Sequence, residues 1–493
     1  MKKLFPHQKE AIERAQTRPF FALFMRPGTG KTGVALTLLD QHLKNKRFKR
    51  FLLIAPGNLL VNWEMALSDF VSAPRRSYIV RRIGTGMSTQ EARQQLTLLK
   101  AYQEKGILLM INYEKVAKLE RELKKFKPDM VIMDESHKLK SRTSQVSSSV
   151  FRISQQAKSR LLLSGTPIAN DYEDIFMQFK IMDPNIFGTR WSDFRDRYVQ
   201  LGGYMGKQIV GYRNKDELRQ IIAENSYRVK LRDCIELPPI EKIYLSCSLS
   251  AKARKYYEEI RNNLFTEIWS EQDLSRASLK RLLKANGIQY FPNESYTELL
   301  FSAKPLLETT CEMAVTKLIR LHQICGGFLT LDSGEVVPID DSKLKLLQEV
   351  LTPEPTIIFC QYVAEVERVV KAFEKKYRVA SYRDPKKRDQ MYLDFLNGDL
   401  DIIVSQINSG SMGLNLQRAH RVIFYSWNYE YSSYDQAIER IERPGQEHAM
   451  EVIHLVAEDS IDEDILRILG HKEKRANQLL DGGDRSDRKQ SHR

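Results

Sequence analysis

The 493-residue chain is poor in cysteine: Cys234, Cys247, Cys311, Cys325 and Cys360 stand far apart, with no CxxC pair and no partnering histidine pair. That spacing speaks against a zinc site and a disulfide framework, and it fits thiols kept reduced. Long apolar runs are missing too. Those present, such as Phe51 to Ala55 and Ile107 to Ile111, fall far short of the roughly 20 residues of a membrane-spanning helix. The opening MKKLFPHQKE has lysines but no apolar stretch after them, so no secretory signal is expected. No repeat of solenoid period is present. The expectation is a soluble intracellular protein, cytoplasmic (nucleoid or host cytoplasm for a prokaryotic or viral source) or nuclear in a eukaryote.

What is present is a globular composition, 42% hydrophobic and 28% charged, with a net charge of +14. At roughly 150 residues per domain the length suggests two or three units. The charge is uneven. Residues 1–250 hold 43 basic and 25 acidic side chains, and 251–493 hold 34 and 38. A phosphate-rich partner is the natural suspicion, with most of its attraction in the first half.

Short apolar runs read as buried strands at Phe20 to Met25, Phe51 to Ala55, Ile107 to Ile111, Met130 to Met133 and Leu161 to Leu163. A second set follows at Thr356 to Cys360, Ile402 to Ser405, Arg421 to Tyr425 and Glu451 to Val456. Amphipathic stretches such as Lys31 to Leu43 lie between them, which predicts parallel sheets covered on both faces. The expected organisation is an α/β unit over 1–232, a linker and mainly helical insertion over 233–330, a second α/β unit over 331–477 and a disordered tail over 478–493. Leu237-Pro238-Pro239 reads equally well as a hinge or an ordinary loop.

The strongest local signal is Met25-Arg26-Pro27-Gly28-Thr29-Gly30-Lys31-Thr32, placed between a strand and a helix. Glycines let successive N–H groups turn toward a phosphate, and the helix N-terminus adds positive potential. Lys31 then meets the β and γ phosphates, and the Thr32 hydroxyl takes a Mg²⁺ position. Met25 departs from the strict pattern, which has glycine there, and alone the loop reads also as a structural turn. The second signal is Asp134-Glu135-Ser136-His137 at the end of the strand from Met130. Asp134 suits a Mg²⁺ ligand, and Glu135 suits a residue that orients or deprotonates water. A solvated strand end is the plain alternative, which the upstream loop disfavours.

In order along nearly the whole chain, these segments resemble helicase superfamily two, specifically the Swi/Snf-type ATP-dependent DNA translocases. Leu4-Phe5-Pro6-His7-Gln8 is similar to the family's adenine-recognition motif, with Gln8 as the reader. LIAPGNLLVNW, Leu53 to Trp63, resembles its distinctive second motif. Ser164-Gly165-Thr166-Pro167 resembles the motif that couples hydrolysis to movement, together with His137. In the second unit Gly410 to Leu416 resembles the glycine-rich fifth motif, with Gly413 toward the nucleotide. Gln436-Ala437 through Arg440, Arg443, Gly445 and Gln446 resembles the sixth. The spacing of Arg440 and Arg443 predicts one helix face. Surface pairing with Glu439 and Glu442 is the reading from spacing alone, and the resemblance makes both arginines fingers for the γ-phosphate.

The resemblance implies two tandem RecA-like parallel-sheet lobes with a helical insertion between them. It implies ATP and Mg²⁺ as cofactors and double-stranded DNA as partner, in a monomer without zinc or membrane contact, its protein partners unidentified. DNA contacts are implied at Pro56, Asn62, Trp63, Asn112, Tyr113, Ser409, Gly410 and Asn415. The basic clusters around Lys44 to Arg50, Arg75 to Arg82 and Lys386 to Arg388 read as solvated faces just as well. Departures stand at Met25 and Arg26, where members commonly carry acids, at Ser411 for glycine, at Glu442 for histidine and at Tyr429 for proline. The absence of accessory modules suits a compact prokaryotic or viral member better than a chromatin remodeller. The expected activity is ATP-dependent translocation on duplex DNA. The rivals are a strand-separating DNA or RNA helicase and an ATP-gated scaffold that does not move.

Overall fold

The computed structural model describes residues 2–84, 86–102, 104–168, 170–202, 208–272, 311–331, 333–382, 388–407 and 416–481. In chain order the strands are β1 (Phe20–Met25), β2 (Arg50–Ala55), β3 (Tyr78–Ile83), β4 (Gly106–Asn112), β5 (Met130–Asp134), β6 (Ser159–Leu163), β7 (Val199–Gly202), β8 (Gln208–Tyr212) and β9 (Ser226–Val229). Then come β10 (Ile240–Cys247), β11 (Phe328–Thr330), β12 (Val336–Pro338), β13 (Thr356–Cys360), β14 (Val379–Ser381), β15 (Ile402–Gln406), β16 (Arg421–Phe424) and β17 (Met450–Ala457).

They form two parallel sheets. The first runs β3-β4-β2-β5-β6-β1-β9, and the second runs β10-β17-β16-β13-β15-β14. Two hairpins, β7 with β8 and β11 with β12, are antiparallel. The apolar runs read from the sequence are the strands with helices on both faces: β1, β2, β4, β5, β13 and β15 are buried along almost their whole length. In-register pairing of Ile54 with Met133 and of Ala55 with Asn112 brings the carboxyl ends of neighbouring strands to one level. Loops leaving those ends therefore share one edge of the sheet, where ligands of parallel α/β sheets bind.

Two boundaries differ from the sequence reading. Ile240–Cys247, inside the segment read as linker and helical insertion, is the edge strand of the second sheet, paired in parallel with β17. Its alternation of Ile243, Leu245 and Cys247 with polar neighbours is the pattern of a half-covered edge rather than a buried core. The described parts of the insertion beyond it, Ala251–Gln272 and Cys311–Cys325, are helical, and 273–310 lie outside the described residues. The final helix, Ile461–Asp481, continues through the first residues of the expected tail, because Leu479 is fully buried on the face that carries Ile465 and Leu469. The rest of that tail, 482–493, lies outside the described residues. Among the described residues no helix is long and apolar enough to cross a membrane, and no cluster of three or more metal-ligating side chains occurs.

The second lobe holds a buried charge pair. Lys343 Nζ lies 2.5 Å from Asp462 Oδ2, both side chains 1% exposed, and also donates to the Tyr425 carbonyl at 3.0 Å. Removing one partner strands the other charge in the core. Asp462→Asn is expected to destabilise the lobe by about 3–5 kcal/mol, and replacing both partners by apolar residues by clearly less. Urea unfolding of the two variants measures the difference.

Candidate nucleotide site between the two lobes

Strand β1 ends in the loop Arg26 to Gly30, which opens the helix Lys31–Lys44. Gly28 and Gly30 have φ of +81° and +89°, a region that side chains rarely enter. A Cβ at Gly30 would stand 2.1 Å from Gln8 Nε2. Gly30 is the N-cap of the helix and no side chain caps it, so the first-turn N–H groups remain available to an anion. Lys31 Nζ is folded back onto the Met25 carbonyl at 2.7 Å. Thr32 lines the cleft with Pro27 and Gly28, whereas Thr29 is buried and its hydroxyl donates to the Arg26 carbonyl at 2.6 Å.

Gln8 is buried behind this loop. Its amide donates to the Thr29 carbonyl at 3.0 Å and accepts the Phe5 N–H at 3.1 Å. His7, which the sequence reading passed over, bonds the same Thr29 carbonyl through Nε2 at 2.8 Å. Both side chains thus brace the Arg26 to Gly30 loop from behind, and the only sequence cue for His7 is its place beside Gln8.

Asp134 closes strand β5 and is buried. Its Oδ1 accepts the Glu135 N–H at 3.0 Å, and its Oδ2 accepts the Trp63 indole N–H at 2.8 Å. Burial, with the Glu135 charge beside it, pushes the Asp134 carboxyl above its ordinary range. Glu135 has φ +51°. Burial pushes its carboxyl up, but His137, Lys31 and Arg440 around it outweigh that and hold it ionised. His137 Nδ1 lies 3.3 Å from both Glu135 Oε2 and Ser164 Oγ, and Ser164 Oγ accepts the Thr166 N–H at 3.2 Å. A Cβ on Gly165 would come within 2.6 Å of Pro27 and 3.5 Å of Lys31 Nζ, so this segment lies directly against the phosphate loop.

From the second lobe, Gln436, Arg440 and Arg443 face the same cleft, of about 1140 Å³. The helix there is Tyr431–Ile438, with Arg440 on the turn after it and Arg443 in the irregular segment beyond, rather than both on one helix face. Pro444 disfavours a helical conformation for Arg443, so the helix does not resume there. Arg440 is drawn down to about 10 by burial and by Arg443. Arg443 Nε is buried without a hydrogen-bond partner among the described residues. Behind them His454 stacks between Tyr244 and Phe424 and meets the Tyr434 hydroxyl at 3.1 Å, tying the helix to strand β17.

The expected DNA contacts divide. Pro56, Asn62 and Asn112 line the cleft. Trp63 and Tyr113 are buried, and they hold Asp134 from two sides, Tyr113 through a 2.7 Å hydrogen bond to its carbonyl. Trp63 lines the cleft as well, and Asn112 is buried too, its amide donating to Glu114 Oε2 at 2.6 Å. Ser409, Gly410, Gly413 and Asn415 lie outside the described residues, as do Lys386 and Lys387. Lys44 pairs with Asp40 at 3.2 Å, and Arg75 lies over the Tyr78 ring. Four cleft lysines were missed: Lys115, Lys118, Lys138 and Lys140. They follow the ends of β4 and β5 directly, which is a cue the sequence offers once the strands are placed.

The indole hydrogen bond fixes the orientation of a carboxylate suited to a cation. Trp63→Phe is expected to raise the Mg²⁺ concentration for half-maximal ATP turnover by about tenfold or more. A Mg²⁺ titration checks this, with DNA affinity measured alongside and expected to hold.

The SNF2-related domain matches residues 22–291, and the helicase conserved C-terminal domain matches 342–445. The chain belongs to the SNF2-related family. A DNA repair and recombination protein RAD54-like of Drosophila pseudoobscura pseudoobscura is 24% identical over 98% of this chain and 64% of its own length. A chromodomain-helicase-DNA-binding protein 1-like from Mus musculus is 25% identical over 92% of the chain and 47% of its own. The chain thus spans less than two thirds of these SNF2-family relatives. Among solved structures, the Sulfolobus solfataricus SWI2/SNF2 ATPase core in complex with dsDNA is 22% identical, with a TM-score of 0.42 over 98% of this chain and 94% of that one.

Proposed function

We propose that the protein is a DNA-stimulated ATPase that translocates on double-stranded DNA and displaces or remodels what is bound there. One observation carries this reading: a phosphate loop and an Asp134-Glu135 pair from one lobe share a cleft with Arg440 and Arg443 from the other. ATP with Mg²⁺ fits the residues present, since Gly28 and Gly30 take positive φ, no side chain caps the helix at Gly30, Lys31 Nζ bonds only a backbone carbonyl and Arg443 Nε has no hydrogen-bond partner among the described residues. When bound, ATP with Mg²⁺ supplies the phosphoanhydride whose hydrolysis drives such cycles.

On this reading Lys31 leaves the Met25 carbonyl for a phosphate oxygen. Thr32 and Asp134 would hold the cation. Glu135 orients water and takes its proton, and His137 relays the state of Glu135 to Ser164 and Thr166. Gln436, Arg440 and Arg443 stabilise the transferring charge. Residues 1–232 then form the nucleotide lobe and 331–477 the arginine lobe, with 240–247 joined to the latter's sheet. A charge gripped by both lobes strengthens their closure and its loss weakens it, which couples hydrolysis to alternating DNA contact. Asn62, Asn112 and the four cleft lysines are the DNA-side groups, and the relatives named for DNA repair and recombination agree with such a partner.

The test compares ATP turnover with duplex DNA, single strands and RNA, beside forked-duplex unwinding and displacement of a third strand from a long duplex. Duplex stimulation with triplex displacement is expected. Robust unwinding or stimulation only by RNA would favour a helicase, and hydrolysis without displacement a scaffold. With +18 net charge over 1–250, DNA affinity is expected to fall steeply as salt rises. A binding constant that barely moves between low and physiological salt would assign that charge to surface solvation.

A further inference from the structure

Arg26 stands in the phosphate loop, and its guanidinium reaches across the cleft to the other lobe. It makes a two-pronged ion pair with Asp435, Nη2 to Oδ1 at 2.9 Å, and its Nη1 lies 3.1 Å from Glu439 Oε1. The two carboxylates are four residues apart, on and just past the helix that precedes Arg440. Their side chains are 10% and 5% exposed, so without a cation between them they would stand side by side in a nearly dry setting. A second pair joins the lobes nearby, Arg232 Nε to Glu442 Oε1 at 2.6 Å. Van der Waals contact completes the seam, since a Cβ on Gly28 would stand 2.9 Å from Pro444 Cδ. Arg26 and Glu442 are also two of the positions where this chain departs from the pattern it resembles. The departures therefore meet opposite charges across one cleft.

We infer that Arg26 is a positioning residue that clasps Asp435 and Glu439, and so seats Arg440 and Arg443 over the phosphate loop before any nucleotide arrives. Other cross-lobe contacts are weaker candidates for this task. Arg475 to Asp171, at 3.1 Å, lies far more in solvent, with Arg475 56% exposed, and an exposed pair contributes little. The planar guanidinium fork takes Asp435 with both Nη atoms and gives Glu439 a close charge contact without a hydrogen bond, a geometry an ammonium would not reproduce. The role assigned to the seated arginines rests on reading the cleft as an ATP site. The clasp itself does not.

The experiment uses the full chain carrying a fluorescent donor and acceptor at exposed Glu13 and Lys371, one on each lobe. Without nucleotide the unaltered protein is expected to show a single short distance. Arg26→Glu should lengthen it, Arg26→Gln should do so partly, and Arg26→Glu with Asp435→Arg should restore it. ATP turnover with DNA should fall about a hundredfold in Arg26→Glu, as misplacement of reacting groups does, and largely return in the charge-swapped pair. An unchanged distance in both Arg26 variants overturns the clasp, as does a swap that restores neither distance nor turnover. If the distances behave as expected while no form of the protein hydrolyses ATP, the clasp stands and the reading of the cleft fails.

Discussion

Arg440→Ala is expected to lower DNA-stimulated ATP turnover by about 10³-fold or more, the scale on which an arginine reaching a transferring phosphoryl group acts. The arginine is 8% exposed and comes from the opposite lobe to the phosphate loop. Its charge is kept in a nearly dry position, where burial and Arg443 draw it down and Glu439 and Glu135 support it. Holding a cation there has a cost, and the arrangement makes sense as a preformed partner for developing negative charge. Nucleotide affinity should fall far less than turnover, because the loop and Lys31 remain. Arg440→Lys should fail to rescue, since an ammonium cannot present the same fork. Single-turnover hydrolysis with a separate nucleotide-binding measurement distinguishes the two effects, and equal losses in both would assign Arg440 to binding alone.

Glu135→Gln should give a loss of about 10²–10⁴-fold in turnover, the usual contribution of a general base. Glutamine keeps the shape and can keep the φ of +51° that glutamate already adopts, so folding should survive. What is lost is an ionised carboxylate that His137, Lys31 and Arg440 hold in that form against burial. DNA affinity should remain within a few-fold of the unaltered protein, because the cleft lysines and Asn62 are untouched. Near-normal turnover in this variant would remove Glu135 from the chemistry.

Most of the fold was legible because its central strands are doubly covered. Runs such as FFALFM and MVIMD carry no polar face, and the structure has helices on both sides of them. Strands at or near an edge escaped notice: YIVRRI of β3 and IEKIYLSC of β10 mix charge with apolar residues, as half-exposed strands do. The phosphate loop and Asp134-Glu135 were legible because adjacent residues make them. Contacts that join distant segments were not. Trp63 meets Asp134 across 71 residues and Arg26 meets Asp435 across 409, and no spacing rule connects such positions. The place of Trp63 and Tyr113 in their motifs likewise gives no sign that their side-chain polar atoms bond the same residue, Asp134.

The stacking of His454 between Tyr244 and Phe424 has a mechanical meaning. Tyr434 fastens the helix before Arg440 to that stack, and Tyr244 belongs to β10. Arg440 therefore cannot be pulled toward the phosphate loop without dragging the six-stranded sheet behind it. Only ten residues, between Val229 and Ile240, carry the chain from the first sheet to that second one. On the proposed reading, a pull on Arg440 would be borne by that sheet and passed to this short tether, where Pro238 and Pro239 restrict the backbone.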